Sequence, residues 1–196
     1  MATNLALQLQ VIEPDTDLNS IMIGNSRYSD DVWDLRPFIT AKSTKESHKY
    51  IRFEYISDAD MKGTVKQYAY YKLGKTKPQT VRNYINGYLP MFIEYCSING
   101  IHSFADVTLE DYLNFNLWMK DEKKVATGFP VCHVVEEIIR IGQIKGWNVS
   151  QFHLPKTETA NQLWNRKKSM KTNKTKPIPE AVSYTHLRAH ETGRNL

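Results

Sequence analysis

Cysteine is scarce. Cys96 and Cys132 are the only two in 196 residues, with no Cys-x-x-Cys spacing and no second ligand pair nearby. That excludes a disulfide framework and a zinc ribbon, and leaves two buried thiols in a reducing compartment. Long apolar runs are missing as well. None approaches the roughly 18 residues that a membrane span needs, and Met1 to Glu13 carry neither a basic leader region nor a cleavage site. A cytoplasmic protein with no membrane partner is therefore expected. His48, His102, His133 and His153 stand without i,i+3 or i,i+4 partners, and neither paired carboxylates nor a glycine-rich phosphate loop occurs. No metal, no nucleotide and no other cofactor is expected on that basis.

The chain does carry an uneven distribution of charge. Its formal net charge is +5 with a pI near 9.1, a balance too modest to name a partner. Between Lys156 and Lys176, however, seven cations face the single carboxylate of Glu158, so this stretch holds +6 and the remainder of the chain sums to −1. With 41% apolar and 24% charged residues, the composition is otherwise that of an ordinary globular protein with room for one core.

The patterning predicts a mainly α fold, a small four-helix domain with an extended N-terminal arm and a possible short strand. Residues 1–56 read as the arm, irregular and anchored by Trp33, Leu35 and Phe38, with the β-branched and aromatic run Tyr50–Ile56 as the candidate strand. Four helices follow over 57–147. The first is capped by Ser57 with Asp60 and buries Met61, Thr64, Val65, Tyr68, Ala69 and Leu73 before Gly74. In the second, Thr76 can cap and Pro78 occupies the first turn. Its apolar face is Val81, Tyr84, Ile85, Tyr88, Leu89, Phe92, Ile93 and Cys96, with Pro90 on the outside. The third starts at a Thr108 cap with Asp111 and runs through Leu109, Tyr112, Leu113, Leu117 and Trp118. The fourth follows Gly128 and Pro130, turns Val131, Val134, Val135, Ile138 and Ile141 inward, and ends near Gly146. Residues 148–182 read as a basic linker unable to offset its own ordering entropy.

The string Gly74-Lys75-Thr76-Lys77-Pro78-Gln79-Thr80-Val81-Arg82-Asn83-Tyr84, continuing to Leu89, Phe92 and Tyr95-Cys96, resembles the second-helix signature of the core-binding (SAM-like) domain of tyrosine-type site-specific recombinases, the phage integrase family. Phe104 to Leu113 is similar to that family's next turn and third helix, and Lys176-Pro177-Ile178-Pro179-Glu180-Ala181-Val182 to the lead-in to its catalytic domain. The likeness covers roughly 50–182. It implies one half of a helical clamp on double-stranded DNA, in a parent that integrates and recombines DNA and assembles as a multimer on paired sites. The family's strand breaking and rejoining needs an Arg, Lys, His, Arg, His-or-Trp set and a Tyr nucleophile, which nothing after Val182 supplies. The chain as given is thus expected to be no enzyme by itself, to have no catalytic residue, and to be monomeric. The opening of the fourth helix, Pro130-Val131-Cys132-His133-Val134-Val135-Glu136-Glu137, departs from the polar and basic start common in the family. Residues 183–196, beginning Ser183-Tyr184-Thr185-His186-Leu187-Arg188, look like a translated sequencing-adaptor scar rather than native sequence.

The candidate DNA-binding residues fall in two groups. Lys75, Thr76, Lys77, Thr80 and Arg82 combine cations, hydroxyls and the amides of a helix start, which suits a phosphate; a simple cap with solvated lysines is the competing account. Asn83 and Asn86 share the outer face of the same helix, where they either reach DNA or only face solvent. In the linker, Arg166, Lys167, Lys168 and Lys171 beside Trp164 either track the DNA backbone or form a solvated tether. Tyr68, Tyr70, Tyr71, Tyr84 and Tyr88 read as core and rim. Two other function classes remain open, a helical protein-interaction module and a stand-alone DNA-binding regulator.

Overall fold

The computed structural model describes residues 17–39, 41, 43–123 and 128–164. Arg166, Lys167, Lys168 and Lys171, the segment 176–182 expected to lead into a catalytic domain, and the 183–196 tail lie outside them. The fold is mainly α, with two small two-stranded antiparallel sheets at its N-terminal side. In chain order the elements are β1 (Met22–Ile23), β2 (Ser26–Arg27), β3 (Val32–Asp34), β4 (Tyr50–Arg52), α1 (Ala59–Leu73), α2 (Pro78–Arg82), a π-helical turn (Asn83–Tyr88), α3 (Leu89–Ile98), α4 (Leu109–Asp121), α5 (Phe129–Lys145) and α6 (Ala160–Leu163).

The arm is not irregular where it is described. β1 pairs with β2 and β3 with β4, Trp33 lying opposite Ile51, so the expected strand exists but is confined to Tyr50–Arg52. Trp33 and Leu35 are fully buried and Phe38 partly so. Trp33 meets Phe53 edge to face at 4.7 Å and donates its indole N–H to the Tyr28 carbonyl. Lys66 of α1 ties the arm to the helices. Its side chain is only 8% exposed, and its ammonium donates to the Ser29 carbonyl at 2.8 Å and pairs with Asp31 at 3.2 Å, while Lys62 takes the other oxygen of the same carboxylate. One hydrophobic cluster runs from Ile21 of the arm to Ala160.

The first helix starts one residue later than its expected cap. Asp58 occupies the N-cap without a side-chain cap bond, because its carboxylate is drawn to His102 Nδ1, 2.9 Å away. All six of the expected inward residues of α1 are buried. α4 begins on the Thr108/Asp111 capping box, each backbone N–H of the pair donating to the other's side chain. Its burial phase differs from expectation: Leu117 is exposed, and Phe115, Asn116 and Met119 join Tyr112 inside. α5 buries the five expected residues and closes at Gly146, whose φ of 67° is the left-handed cap conformation. It packs against α1, α3, the π turn and α6.

The second helix runs without a gap from Pro78 to Ile98 but is not α-helical throughout. Pro90 has no N–H to give, and the chain widens into a π turn directly before it, where the N–H of Leu89 reaches back to the Tyr84 carbonyl. In that register the Ile85 carbonyl would look to residue 90 for its donor. The Tyr55 hydroxyl supplies the bond instead, at 2.7 Å, so the helix break is satisfied from the end of the strand segment.

Residues 148–164 are also more ordered than a tether. Ser150 donates to the Phe104 carbonyl, and the Gln143 amide donates to the carbonyls of Ser150 and Phe152. The Trp164 indole N–H reaches both Asn116 Oδ1 at 2.8 Å and Cys132 Sγ at 3.1 Å. Gly128 makes room for that ring, since a Cβ there would lie 2.1 Å from Trp164 Cζ2. Ala160 is fully buried and its N–H donates to Glu136. The apolar residues Val149, Phe152, Leu154 and Trp164, spaced without helical period, give this segment its contacts.

Candidate nucleic-acid interface

The turn joining α1 to α2 presents Lys75 and Lys77 to solvent. It is tight because Lys75 and Thr76 both donate their N–H to the Lys72 carbonyl. Neither lysine is in an ion pair among the described residues; Lys75 is steadied instead over the Tyr71 ring, 4.7 Å from its centre. The helix start beside them is a poorer phosphate seat than its sequence suggests. Lys77, not Thr76, is the N-cap and makes no side-chain cap bond, Pro78 brings no N–H, and the Thr80 N–H turns to the Lys77 carbonyl. Thr76 and Thr80 are half-buried.

Three other candidates are committed elsewhere to varying degrees. Arg82 is half-buried, its Nε has no hydrogen-bond partner among the described residues, and one terminal nitrogen donates to Asn83 Oδ1 at 3.3 Å. Asn83 therefore spends its carbonyl on its neighbour. Asn86 spends both ends of its amide: Oδ1 accepts from the Arg52 N–H at 3.1 Å and Nδ2 donates to the Arg52 carbonyl at 2.6 Å. It acts as a one-residue strand along the outer edge of β4, which is what holds the π turn to the arm. Asn86→Ala is expected to lower stability by about 1–2 kcal/mol, as two net hydrogen bonds are lost at an edge water can reach, without weakening DNA binding. Urea unfolding and a duplex titration on the same protein check both halves.

The fold gathers three further cations around Lys75, two of them from a separate helix. Lys72, Arg140 and Lys145 line, with Tyr71, Lys75 and Glu137, a pocket of about 160 Å³ between the C-terminal ends of α1 and α5. Lys145 sits 5.7 Å from the centre of the same Tyr71 ring that steadies Lys75, and Trp147 meets that ring edge-on at 6.1 Å. Lys72 is neutralised by Glu137 at 2.9 Å, and Glu137 also accepts from the buried Tyr68 hydroxyl at 2.6 Å. Burial pushes the Glu137 carboxyl up, but the bonds from Tyr68 and Lys72 outweigh it and hold the group below the usual carboxylate range. Of the five tyrosines, Tyr68 and Tyr70 are buried and Tyr71, Tyr84 and Tyr88 are half-buried. The only sequence signal for the enlarged patch was Lys72, one turn before Lys75; Arg140 and Lys145 lie on another helix.

A second cavity, about 240 Å³, lies under the segment 152–159 and is lined by Tyr112, His133, Glu136, Arg140, Phe152 and His153 among others. Its polar centre is already paired, the Tyr112 hydroxyl donating to Glu136 at 2.8 Å. Among the described residues no group of His, Cys, Asp and Glu is placed to hold a metal ion, and no helix is long and apolar enough to cross a membrane. No protein-family model, curated protein or solved structure significantly matches the chain.

Proposed function

We propose that this chain is the DNA-binding front part of a tyrosine-type site-specific recombinase, gripping duplex DNA mainly through phosphates and doing no strand chemistry by itself. The observation that carries the reading is the exposed α1–α2 turn, where Lys75 and Lys77 stand without a carboxylate partner among the described residues, at the point where the sequence resembles the family's core-binding signature. The mainly α fold and the cation-rich stretch Lys156–Lys176 agree with it. Phosphate contacts of this kind release condensed counterions, so log affinity falls with log salt at about −0.9 per phosphate neutralised. The parent's integration and recombination of DNA, on paired sites and as a multimer, belong to the same proposal, as does a cytoplasmic location.

The test is a fluorescence-anisotropy titration of labelled duplex across a salt series. Lys75→Ala with Lys77→Ala is expected to flatten the slope by about 1 to 2 units, and Glu110→Ala, at the exposed start of α4, to leave it unchanged. Arg82 is best left in place, because its partly buried side chain packs as well as charges. Absence of salt-dependent binding at low ionic strength would overturn the reading in favour of a protein-interaction module, and a denaturation-resistant protein–DNA adduct would refute the claim that the chain performs no strand chemistry.

A further inference from the structure

We infer that the pocket between the ends of α1 and α5 is a seat for a single phosphate group, held by Lys75, Arg140 and Lys145 on a platform made by Tyr71; the inference takes the source to be a DNA backbone and in that respect rests on the reading above. Four cations and one carboxylate line about 160 Å³. The carboxylate is spent, since Glu137 pairs with Lys72 and accepts from Tyr68. Lys75, Arg140 and Lys145, all exposed, are left with no ion pair among the described residues. Like charges gathered around a concavity repel, and a compact anion placed among them relieves that repulsion.

Complementing helix dipoles explains part of this cluster. Lys72 and Lys75 lie at the C-terminal end of α1 and Lys145 in the last turn of α5, where cations are favoured. Arg140 does not fit that account. It precedes the last turn of α5, outside the reach of the terminal carbonyls, and yet faces the same pocket. Nor does dipole complementation need the aromatic ring. Tyr71 takes Lys75 at 4.7 Å and Lys145 at 5.7 Å from one ring centre, and Trp147 abuts the ring's plane edge-on. Two long, otherwise mobile side chains are in this way pre-positioned, which reduces the ordering cost of anion binding. A guanidinium fork beside two ammonium groups suits the several oxygens of a phosphate, the fork giving direction and the ammoniums charge.

Two measurements on the whole chain separate this inference from the broader one. Titration with inorganic phosphate, followed by the Trp147 indole N–H signal in NMR, is expected to give a saturable shift that Arg140→Ala with Lys145→Ala abolishes. In the duplex titration the same double variant is expected to lose roughly tenfold in affinity at low salt and to flatten the salt slope by about 1 unit, because both side chains serve one phosphate. Lys77→Ala, outside the pocket, should leave the phosphate shift intact. An unchanged phosphate shift and salt slope in the double variant would overturn the seat while leaving DNA binding through the α1–α2 turn untouched. A pocket that takes phosphate in a chain that binds no duplex would uphold the seat and overturn its DNA source.

Discussion

Phe92→Ala is expected to lower the unfolding free energy by about 3–5 kcal/mol, the range for removing a fully buried aromatic side chain from a packed core. Phe92 of α3 is completely inaccessible, lies 5.6 Å from the Phe104 ring and meets Phe115 of α4 edge to face at 5.1 Å. Three segments thus share the void that truncation leaves, and a loop, a helix after a π turn and a capped helix cannot all collapse into it. A urea unfolding curve with unchanged steepness and a shifted midpoint is the expected record. A loss below about 1 kcal/mol would mean that the site relaxes and that the aromatic cluster is not the centre of the core.

Glu137→Ala should cost about 3 kcal/mol, the lower end of the range for breaking a buried pair by removing one partner. The side chains of Glu137 and Lys72 are 13% and 12% exposed, and without the carboxylate the Tyr68 hydroxyl loses its acceptor at the same time. The effect carries a pH signature. The Glu137 carboxyl titrates lower in the folded chain than in the unfolded one, so its contribution is complete above the usual carboxylate range and fades as pH falls through the lower, folded value. The variant should lack that part of the acid limb. Comparing midpoints at neutral and acidic pH checks it, and a wild-type acid limb persisting in Glu137→Ala would assign the titration to another group.

Much of the helical core was legible because the relevant side chains repeat at helical spacing. α1 and α5 bury the residues their periodicity indicates, and the capping box of α4 appears as written. α4 itself misled because it is apolar on two sides: Leu109, Leu113 and Leu117 make as regular a stripe as the Tyr112, Phe115 and Met119 side that is buried. The deciding residue was Asn116, which looks like a surface residue in sequence but is buried. There its amide donates to the Tyr112 carbonyl and its oxygen accepts from Cys132 and Trp164. The arm's strands, two or three residues long, are too short to show an alternation. Lys75 and Lys77 could be singled out by charge and position alone. Arg140 and Lys145 could not, because only the packing of α5 on α1 makes them neighbours of Lys75, and the pairing of Asn86 with the backbone of Arg52 has no sequence signature.

The two thiols give the core its own clock. Both Cys96 and Cys132 are buried, and burial pushes their thiols up to about 12, so neither offers a reactive thiolate to solvent at neutral pH. An alkylating reagent must therefore wait for the protein to open, and its rate records how often that happens. The two positions record different openings. Cys96 is buried on α3, whereas Cys132 sits on α5 in contact with the Trp164 indole. If the segment that carries Trp164 lifts away while the remaining helices stay packed, Cys132 reacts ahead of Cys96; if the chain opens only as a whole, the two keep the same time.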